Sequence, residues 1–311
     1  MNKGNHPIFS PFGFRIETLQ LLYLKDTLKR WIWLGATGGY IEGLSRVGKT
    51  TAIEMVLNSL TNRSGDLIPS MMITMPERDT KTIRAVHINL CESFNIAYQP
   101  RATSDDLTNS WCIHLAELCL IRNSNTFVLF VDEMQRIIPK QFNAFAELHD
   151  KMRIRGILLV VIFLGNHHES DRLIRAVGTK TYSHIQGRFF VNNERFHGIR
   201  KETELTHCLR QYDNLCYPEN SAISYTEYFL PEDYKSGWRL SDQSKLLWSC
   251  FSSIKKEHQF ESIGMQYILA TIRPLLTDYL PALGVERLNE EMVLKCIELS
   301  GLHKSQITFV D

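Results

Sequence analysis

The segment Gly43-Leu44-Ser45-Arg46-Val47-Gly48-Lys49-Thr50 constrains the fold of this chain more than any other feature. It matches the pattern GxxxxGK[ST], in which a glycine-rich loop joins a β-strand to the N-terminus of a helix. The glycines let backbone N–H groups face phosphate oxygens at the positive end of that helix. In this pattern Lys49 reaches the β- and γ-phosphates, and the Thr50 hydroxyl binds Mg²⁺. The sequence therefore predicts an α/β domain that binds ATP through this loop and the adjoining Thr51.

An apolar strand that ends in two carboxylates follows about eighty residues after the loop. Thr126–Val131 is β-branched and aromatic, which is typical of a central parallel strand buried on both faces, and Asp132 and Glu133 come directly after it. A carboxylate at such a strand end holds Mg²⁺ in P-loop enzymes, and a second one can deprotonate the attacking water. We therefore predict Asp132 as a metal-site residue and Glu133 as the catalytic base. The alternative is two ordinary acids at a strand–loop boundary.

Two more polar residues complete the predicted catalytic set. Asn166 ends another apolar strand, and we predict that it holds the lytic water near the γ-phosphate; the alternative is a helix cap. Arg188 lies between a predicted helix and a predicted terminal strand, Phe189–Asn192. From there we expect it to reach the γ-phosphate of a neighbouring subunit as an arginine finger. A solvated surface arginine is the alternative, and Arg172 and Arg175 are nearby competitors.

Strands alternate with helices up to about residue 200, which predicts a three-layer α/β/α core with a parallel sheet. The helices predicted here are Ile16–Trp33, Thr50–Leu60, Thr80–Phe94, Asp106–Ile121, Pro139–Met152 and Glu169–Val177, and the strands are Tyr40–Glu42, Ser70–Met75, Thr126–Val131, Gly156–Gly165 and Phe189–Asn192. The remaining helices predicted are Glu202–Tyr212, Ser241–Lys256, Ile263–Tyr279 and Asn289–Leu299. We therefore predict a nucleotide-binding core with an N-terminal helical arm over residues 1–199 and a small α-helical lid over residues 200–311. The pair His167-His168 is predicted to lie in a loop and to hold no metal.

Composition limits the partners and the compartment. Lys and Arg number 35 against 34 Asp and Glu, so the formal net charge of +1 leaves any DNA contact to a local patch or to a patch multiplied by oligomerisation. The seven cysteines have no CxxC spacing, which favours reduced thiols in a cytoplasmic protein. The longest apolar run, Ile157–Leu164, is too short to span a bilayer, and we expect no membrane partner.

Taken in order, four segments resemble the AAA+ ATPases: the P-loop, Val-Asp-Glu and Leu-Gly-Asn at two strand ends, and Gly-Arg-Phe before the last predicted strand. More narrowly, Phe-Val-Leu-Phe-Val-Asp-Glu-Met-Gln and Gln-Gly-Arg-Phe-Phe are similar to the TnsC/TniB type, the ATP-dependent regulators of DNA transposons. The resemblance covers about residues 12–300. Ser262-Ile263-Gly264 resembles the start of that family's lid helix, and Arg273 is a candidate for a second sensor.

The resemblance implies a Mg²⁺-dependent ATPase that assembles as a homo-oligomeric ring or filament on double-stranded DNA in the bacterial cytoplasm. It implies further that the assembly links a TniQ-type target-selection adaptor, with or without an RNA-guided effector, to transposase subunits, and that hydrolysis resets it. Phosphate contacts from inward-facing basic residues would add up around such a ring. The candidates for these contacts are Arg78, Lys81, Arg84 and Arg101, for which a solvated helix face is the alternative.

Three other functions stay open at this point. The chain fits another AAA+ loader or initiator of DNA replication, or an ATP-driven signalling switch that binds protein and not DNA. A module that holds nucleotide without turnover is the third, and the intact Glu133 argues against it. ATP-dependent DNA binding separates the signalling switch from the transposition regulator and from the replication loader.

Overall fold

A computed structural model of the chain describes residues 3–10, 13–79 and 81–303. The described chain divides into two compact units. The first unit comprises residues 23–45 and 49–196, and the second comprises the described residues among 1–22, 46–48 and 197–311. Residues 1–2, 11–12, 80 and 304–311, which the predicted domains include, lie outside the described residues.

The first unit is built on a parallel sheet of five strands. In chain order the strands are β1 (Gly38–Gly43), β2 (Ser70–Thr74), β3 (Thr126–Asp132), β4 (Leu158–Asn166) and β5 (Asn193–Arg195). Their order across the sheet is β2-β3-β4-β1-β5, and all neighbouring strands are parallel. The register of β1 and β4 places Gly43 beside Asn166. The carboxyl ends of β1, β3 and β4 therefore meet at one edge of the sheet, where most of the predicted site residues lie.

Seven helices complete this part of the chain. They are α1 (Leu19–Trp33), which crosses the boundary between the units, α2 (Lys49–Val56), α3 (Ile83–Ser93), α4 (Ser104–Ile121), α5 (Phe142–Ile154), α6 (His167–Val177) and α7 (Ser183–Phe189). None of the described helices has the length and the apolar character that a membrane span needs.

Two adjacent glycines of β1 show that helices cover both faces of the sheet. Successive residues of a strand point to opposite faces. A Cβ at Gly38 would lie 2.8 Å from the ring of Phe189 in α7, and a Cβ at Gly39 would lie 2.6 Å from the ring of Trp31 in α1. The interior strands are correspondingly apolar, and residues 127–131 of β3 are fully buried. The predicted α/β fold with a parallel sheet between helical layers is confirmed.

The second unit is helical, as predicted for the C-terminal part of the chain. Its helices are α8 (Glu202–Asn214), α9 (Tyr225–Phe229), α10 (Pro231–Lys235), α11 (Ser244–Glu257), α12 (Met265–Pro274), α13 (Leu280–Leu283) and α14 (Glu290–Ser300), with a π-helical turn at Leu275–Tyr279. Their apolar faces share one core, which contains Leu209, Leu247 and Val293. Ile8 and Ile16 from the N-terminal segment are buried in this same core.

The predicted strand Phe189–Asn192 is wrong. Phe189 is the last residue of α7, and the final strand is the polar segment Asn193–Arg195. The rings of Phe189 and Phe190 lie 5.7 and 6.1 Å from that of Phe163 in β4, so they fill the core from the end of a helix. The short apolar run resembles a strand because periodicity cannot separate a buried strand from a buried helix end.

The predicted loop at His167-His168 is also wrong, since both residues belong to the first turn of α6. The other predicted helices differ from the observed ones mainly at their ends, where caps decide the boundary. Thr82 accepts a hydrogen bond from the N–H of Ala85 and starts α3, and a 3₁₀ turn at Pro139–Gln141 precedes α5. All seven cysteines are free, and all except Cys216 are buried.

Candidate functional site

The P-loop joins β1 to α2, and each of its two glycines is required for a different reason. Gly48 has a φ of +102°, a conformation that residues with a Cβ rarely adopt. At Gly43 a Cβ would lie 2.1 Å from the carbonyl oxygen of Phe196, so any larger residue would displace backbone. Val47 is also buried. Gly48 is therefore required by the backbone conformation, and Gly43 is required because there is no space for a side chain.

Lys49 begins α2, and its ammonium lies against the loop itself. Nζ donates hydrogen bonds to the carbonyl oxygens of Gly43, at 2.7 Å, and Leu44, at 2.8 Å. Burial lowers the pKa of Lys49, and the nearby carboxylates, Asp132 and Glu133 among them, oppose this effect. Phosphate oxygens that enter the loop can replace the two carbonyl oxygens as acceptors. The position of the ammonium therefore fits the role predicted for Lys49.

Thr50 and Asp132 are brought into direct contact. Thr50 Oγ1 donates a hydrogen bond to Asp132 Oδ2 at 2.7 Å. Asp132 is buried at the end of β3, and its Oδ1 accepts a hydrogen bond from the N–H of Glu133 at 2.8 Å. Hydroxyl and carboxylate oxygens are ligands that the hard cation Mg²⁺ prefers. These two residues therefore fit the predicted Mg²⁺ site.

Glu133 follows β3 in the left-handed conformation, with φ 61° and ψ 45°. Non-glycine residues in this region are strained, and such strain is found often at functional sites. Glu133 Oε2 accepts a hydrogen bond from Gln135 Nε2 at 2.8 Å and lies 3.3 Å from Arg136 Nη2. Arg136 also donates to the carbonyl oxygen of Met75 at 3.0 Å. The sequence predicted no role for Gln135 or Arg136, although Gln135 is the last residue of the segment Phe-Val-Leu-Phe-Val-Asp-Glu-Met-Gln and Arg136 follows it.

Asn166 caps α6, the alternative that the sequence left open. Its Oδ1 accepts a hydrogen bond from the N–H of His168 at 3.2 Å, and its Nδ2 donates to Glu169 Oε1 at 2.9 Å. Its backbone N–H donates to Gln135 Oε1 at 3.2 Å. Gln135 thus connects Glu133 with the end of β4. A role of the Asn166 amide toward a γ-phosphate stays a prediction.

Arg188 lies in the last turn of α7 and not, as predicted, between a helix and a strand. Its side chain is 31% exposed, and Nη1 lies 3.0 Å from Asp150 Oδ2 and 3.3 Å from the carbonyl oxygen of Ala146. The guanidinium is therefore held within its own subunit by a carboxylate. Its predicted action on a neighbouring subunit stays a prediction and would require this ion pair to open. The competitors Arg172 and Arg175 are exposed on α6.

Three of the four basic residues predicted to contact DNA line one cavity of about 800 Å³ on the first unit. These are Arg78, Lys81 and Arg84. Glu77 and Asp79 line the same cavity, so its charge is mixed. A basic surface for phosphates would thus include two carboxylates.

The basic residues differ in how freely their charges are available. Arg84 donates to the carbonyl oxygens of residues 100 and 102, at 2.9 and 3.0 Å, and so stabilises a loop instead of extending into solvent. Arg78 forms an ion pair with Glu92 at 3.1 Å. Lys81 and Arg101 are exposed. Contact of these residues with DNA stays a prediction, and Lys81 and Arg101 fit it best.

Within the second unit, Ser262-Ile263-Gly264 directly precedes α12, as the resemblance implies. Arg46 Nη1 donates a hydrogen bond to the hydroxyl of Tyr267 in α12 at 3.1 Å. A Cβ at Gly264 would lie 2.8 Å from the carbonyl oxygen of Arg46. Arg273 lies in the last turn of α12, and its buried Nε has no hydrogen-bond partner in the part of the chain that the structure describes. Its role as a second sensor stays a prediction.

Residues 34–173 match a family model described as an AAA domain. This range contains the P-loop, Asp132, Glu133 and Asn166. The chain therefore contains a P-loop domain of the AAA type. No curated protein matches the sequence at a significant level.

Several solved structures are similar to this chain at low sequence identity. A chain in the structure of Drosophila ORC bound to DNA is 16% identical with a TM-score of 0.52, and the match covers 92% of this chain and 66% of that one. Cdc6p from Pyrobaculum aerophilum is 13% identical with a TM-score of 0.45, with coverage of 96% and 84%. The ORC1 protein of Aeropyrum pernix in complex with DNA is 12% identical with a TM-score of 0.45, with coverage of 95% and 86%. At 16% identity the likeness to the Drosophila ORC chain concerns the fold alone.

Proposed function

We propose that this chain is a Mg²⁺-dependent ATPase. The observation that carries the proposal is the 2.7 Å contact between Thr50 Oγ1 and Asp132 Oδ2. It joins the end of the P-loop to the carboxyl end of β3, two elements about eighty residues apart in sequence. The contact places a hydroxyl and a carboxylate, two oxygen ligands that suit Mg²⁺, side by side at the end of a loop with the GxxxxGK[ST] pattern.

The residues of the proposed site each have a distinct role in the reaction. The loop N–H groups and Lys49 bind the phosphates. Glu133 takes the proton of a water whose oxygen attacks the γ-phosphorus while the bond to the β–γ bridging oxygen breaks. Asn166 orients that water. Mg²⁺ held by Thr50 and Asp132 supplies charge neutralisation of the phosphate oxygens when it is bound.

The test compares Thr50→Ala with Thr50→Ser in a steady-state ATPase assay titrated with Mg²⁺. Thr50→Ser keeps the hydroxyl that contacts Asp132, and we expect it to retain activity. Thr50→Ala removes that oxygen, and we expect turnover to fall by roughly tenfold or more, with a higher Mg²⁺ requirement, because second-shell losses alone cost about 10–100-fold at metal sites. Equal activity of the two variants, with both folded by circular dichroism, would refute the proposed site.

We propose further that ATP binding drives assembly on double-stranded DNA in the bacterial cytoplasm. The segments similar to the TnsC/TniB type support a regulator of transposition that links a TniQ-type adaptor to transposase subunits. The likeness in fold to the Drosophila ORC chain, whose structure is described as bound to DNA, favours a replication loader or initiator as the second candidate. Stimulation of DNA strand transfer by a transposase encoded beside this chain would support the first, and loading of a replicative helicase onto DNA would support the second.

A further inference from the structure

Glu42, His167 and Asp171 bring three potential metal ligands together beside the P-loop. Glu42 precedes the last residue of β1, whereas His167 and Asp171 lie one helical turn apart at the start of α6. His167 Nδ1 lies 3.1 Å from Glu42 Oε1, and one ligand atom from each of the three residues lies within 4.8 Å of the others. The register explains the cluster, because Glu42 pairs with Gly165 of β4 and α6 starts where β4 ends.

Glu42 and His167 are more shielded from solvent than Asp171, and the two carboxylates give the cluster negative charge. The Glu42 side chain is 13% exposed and that of His167 is 23% exposed. His167 Nδ1 is buried, and no atom in the described part of the chain forms a hydrogen bond of acceptable geometry with it.

We propose that Glu42, His167 and Asp171 form a binding site for a divalent transition-metal ion, separate from the Mg²⁺ site proposed at Thr50 and Asp132. One imidazole nitrogen with two carboxylate oxygens suits Zn²⁺, Co²⁺ or Mn²⁺, whereas Mg²⁺ prefers oxygen ligands alone. Bonds of about 2 Å in a tetrahedral site place ligand atoms about 3.3 Å apart. The His167–Glu42 distance already meets this spacing, so only the Asp171 carboxylate has to approach.

A metal ion in this site would connect β1 to α6 where each adjoins the nucleotide site. Glu42 precedes Gly43, the first glycine of the P-loop, and His167 follows Asn166. The ion would therefore hold Gly43 and Asn166, which are register partners, in one arrangement. Three protein ligands also leave a fourth coordination position open.

The test is a titration of the full chain with Zn²⁺ in the absence of nucleotide by isothermal calorimetry, with Co²⁺ absorption as a second readout. We expect one equivalent of Zn²⁺ to bind. His167→Ala and Asp171→Asn should each weaken binding by roughly tenfold or more and abolish the Co²⁺ ligand-field bands, since each removes one of three ligands. The matched control is His168→Ala, which removes the exposed neighbouring imidazole and should change the affinity by less than about twofold.

Circular dichroism verifies that each variant is folded, and Asp171→Asn preserves side-chain shape if His167→Ala does not fold. Failure of the wild-type chain to bind Zn²⁺, or equal binding by folded Asp171→Asn, would overturn the proposal. Because the titration contains no nucleotide, that result would leave the proposed ATPase untouched. Conversely, Thr50→Ala should lose turnover but bind Zn²⁺ with the affinity of wild type.

Discussion

Acid should destabilise the first unit through His87. This imidazole of α3 is fully buried, its Nε2 lies 3.2 Å from Thr108 Oγ1, and its Nδ1 has no hydrogen-bond partner in the described part of the chain. Burial lowers its pKa from 6.5 to about 4, a shift that the more distant Glu147 carboxylate only partly opposes. A proton added to Nδ1 in the folded state would be buried without a hydrogen-bond acceptor among the described residues.

The sign and the size of the effect follow from linkage. The unfolded chain binds this proton near pH 6.5 and the folded chain only near pH 4, so stability is complete above pH 6.5 and is lost as the pH falls toward 4. At pH 5 the loss from His87 alone is about 2 kcal/mol, since one pKa unit corresponds to about 1.4 kcal/mol. That amount is a large fraction of the net stability of a typical domain.

The assay is urea unfolding at pH 7.5 and pH 5, with hydrogen exchange of α3 peptides to assign the loss to the first unit. His87→Gln should be less stable at pH 7.5 but should lose about 2 kcal/mol less than wild type between the two pH values. The control His168→Gln alters an exposed imidazole and should keep the wild-type pH dependence. An equal pH dependence in His87→Gln and wild type would refute the argument.

Four further predictions concern the nucleotide and DNA. Lys49→Ala should bind ATP roughly tenfold or more weakly in a fluorescent-nucleotide titration, because it removes the cation at the phosphates. Glu133→Gln should bind ATP and accumulate as DNA-bound oligomer, while its turnover, measured by phosphate release, falls by about 100-fold or more. Wild-type turnover in Glu133→Gln would mean that another residue is the base. The specific ATPase activity of Arg188→Ala should stay low at every protein concentration, whereas that of wild type should rise with concentration. Mixing Arg188→Ala with Glu133→Gln should restore some activity. Absence of rescue in mixtures that exchange subunits counts against action between subunits. In fluorescence anisotropy on a short duplex, DNA binding should require a non-hydrolysable ATP analogue and weaken steeply with salt. The double variant Lys81→Ala/Arg101→Ala should reduce the dependence of DNA affinity on salt concentration. No DNA binding by protein that still oligomerises would favour the signalling switch.

The P-loop and the strand before Asp132 are predictable from sequence because their requirements are local. Gly48 is needed for its own φ, and the hydroxyl and ammonium of the motif are adjacent in the chain. The core strand β3 is predictable because it is buried on both faces and therefore uninterrupted in its apolar character. Strand alternation with helices likewise predicts the α/β class before any contact is known.

The last helix and the last strand of the first unit could not be predicted in the same way. The apolar run after Arg188 fits a strand as well as the end of a buried helix, and only its packing beside Phe163 distinguishes them. The hydrogen-bond and ion-pair partners of the site residues cannot be predicted from sequence either, because they depend on which helices and strands become neighbours. Asp150, which holds Arg188, is 38 positions away and carries no motif.

The sequence by itself therefore determines the loop chemistry, the buried strands and the fold class, since backbone conformation and apolar periodicity are properties of short segments. The tertiary structure alone decides that Thr50 contacts Asp132, that Gln135 connects Glu133 with Asn166, and that Glu42 faces α6. These contacts arise from the strand order β2-β3-β4-β1-β5, which brings strand ends that are distant in sequence to one edge of the sheet. Side-chain hydrogen bonds and ion pairs act over only a few ångströms, so their partners are selected by this juxtaposition and not by spacing along the chain.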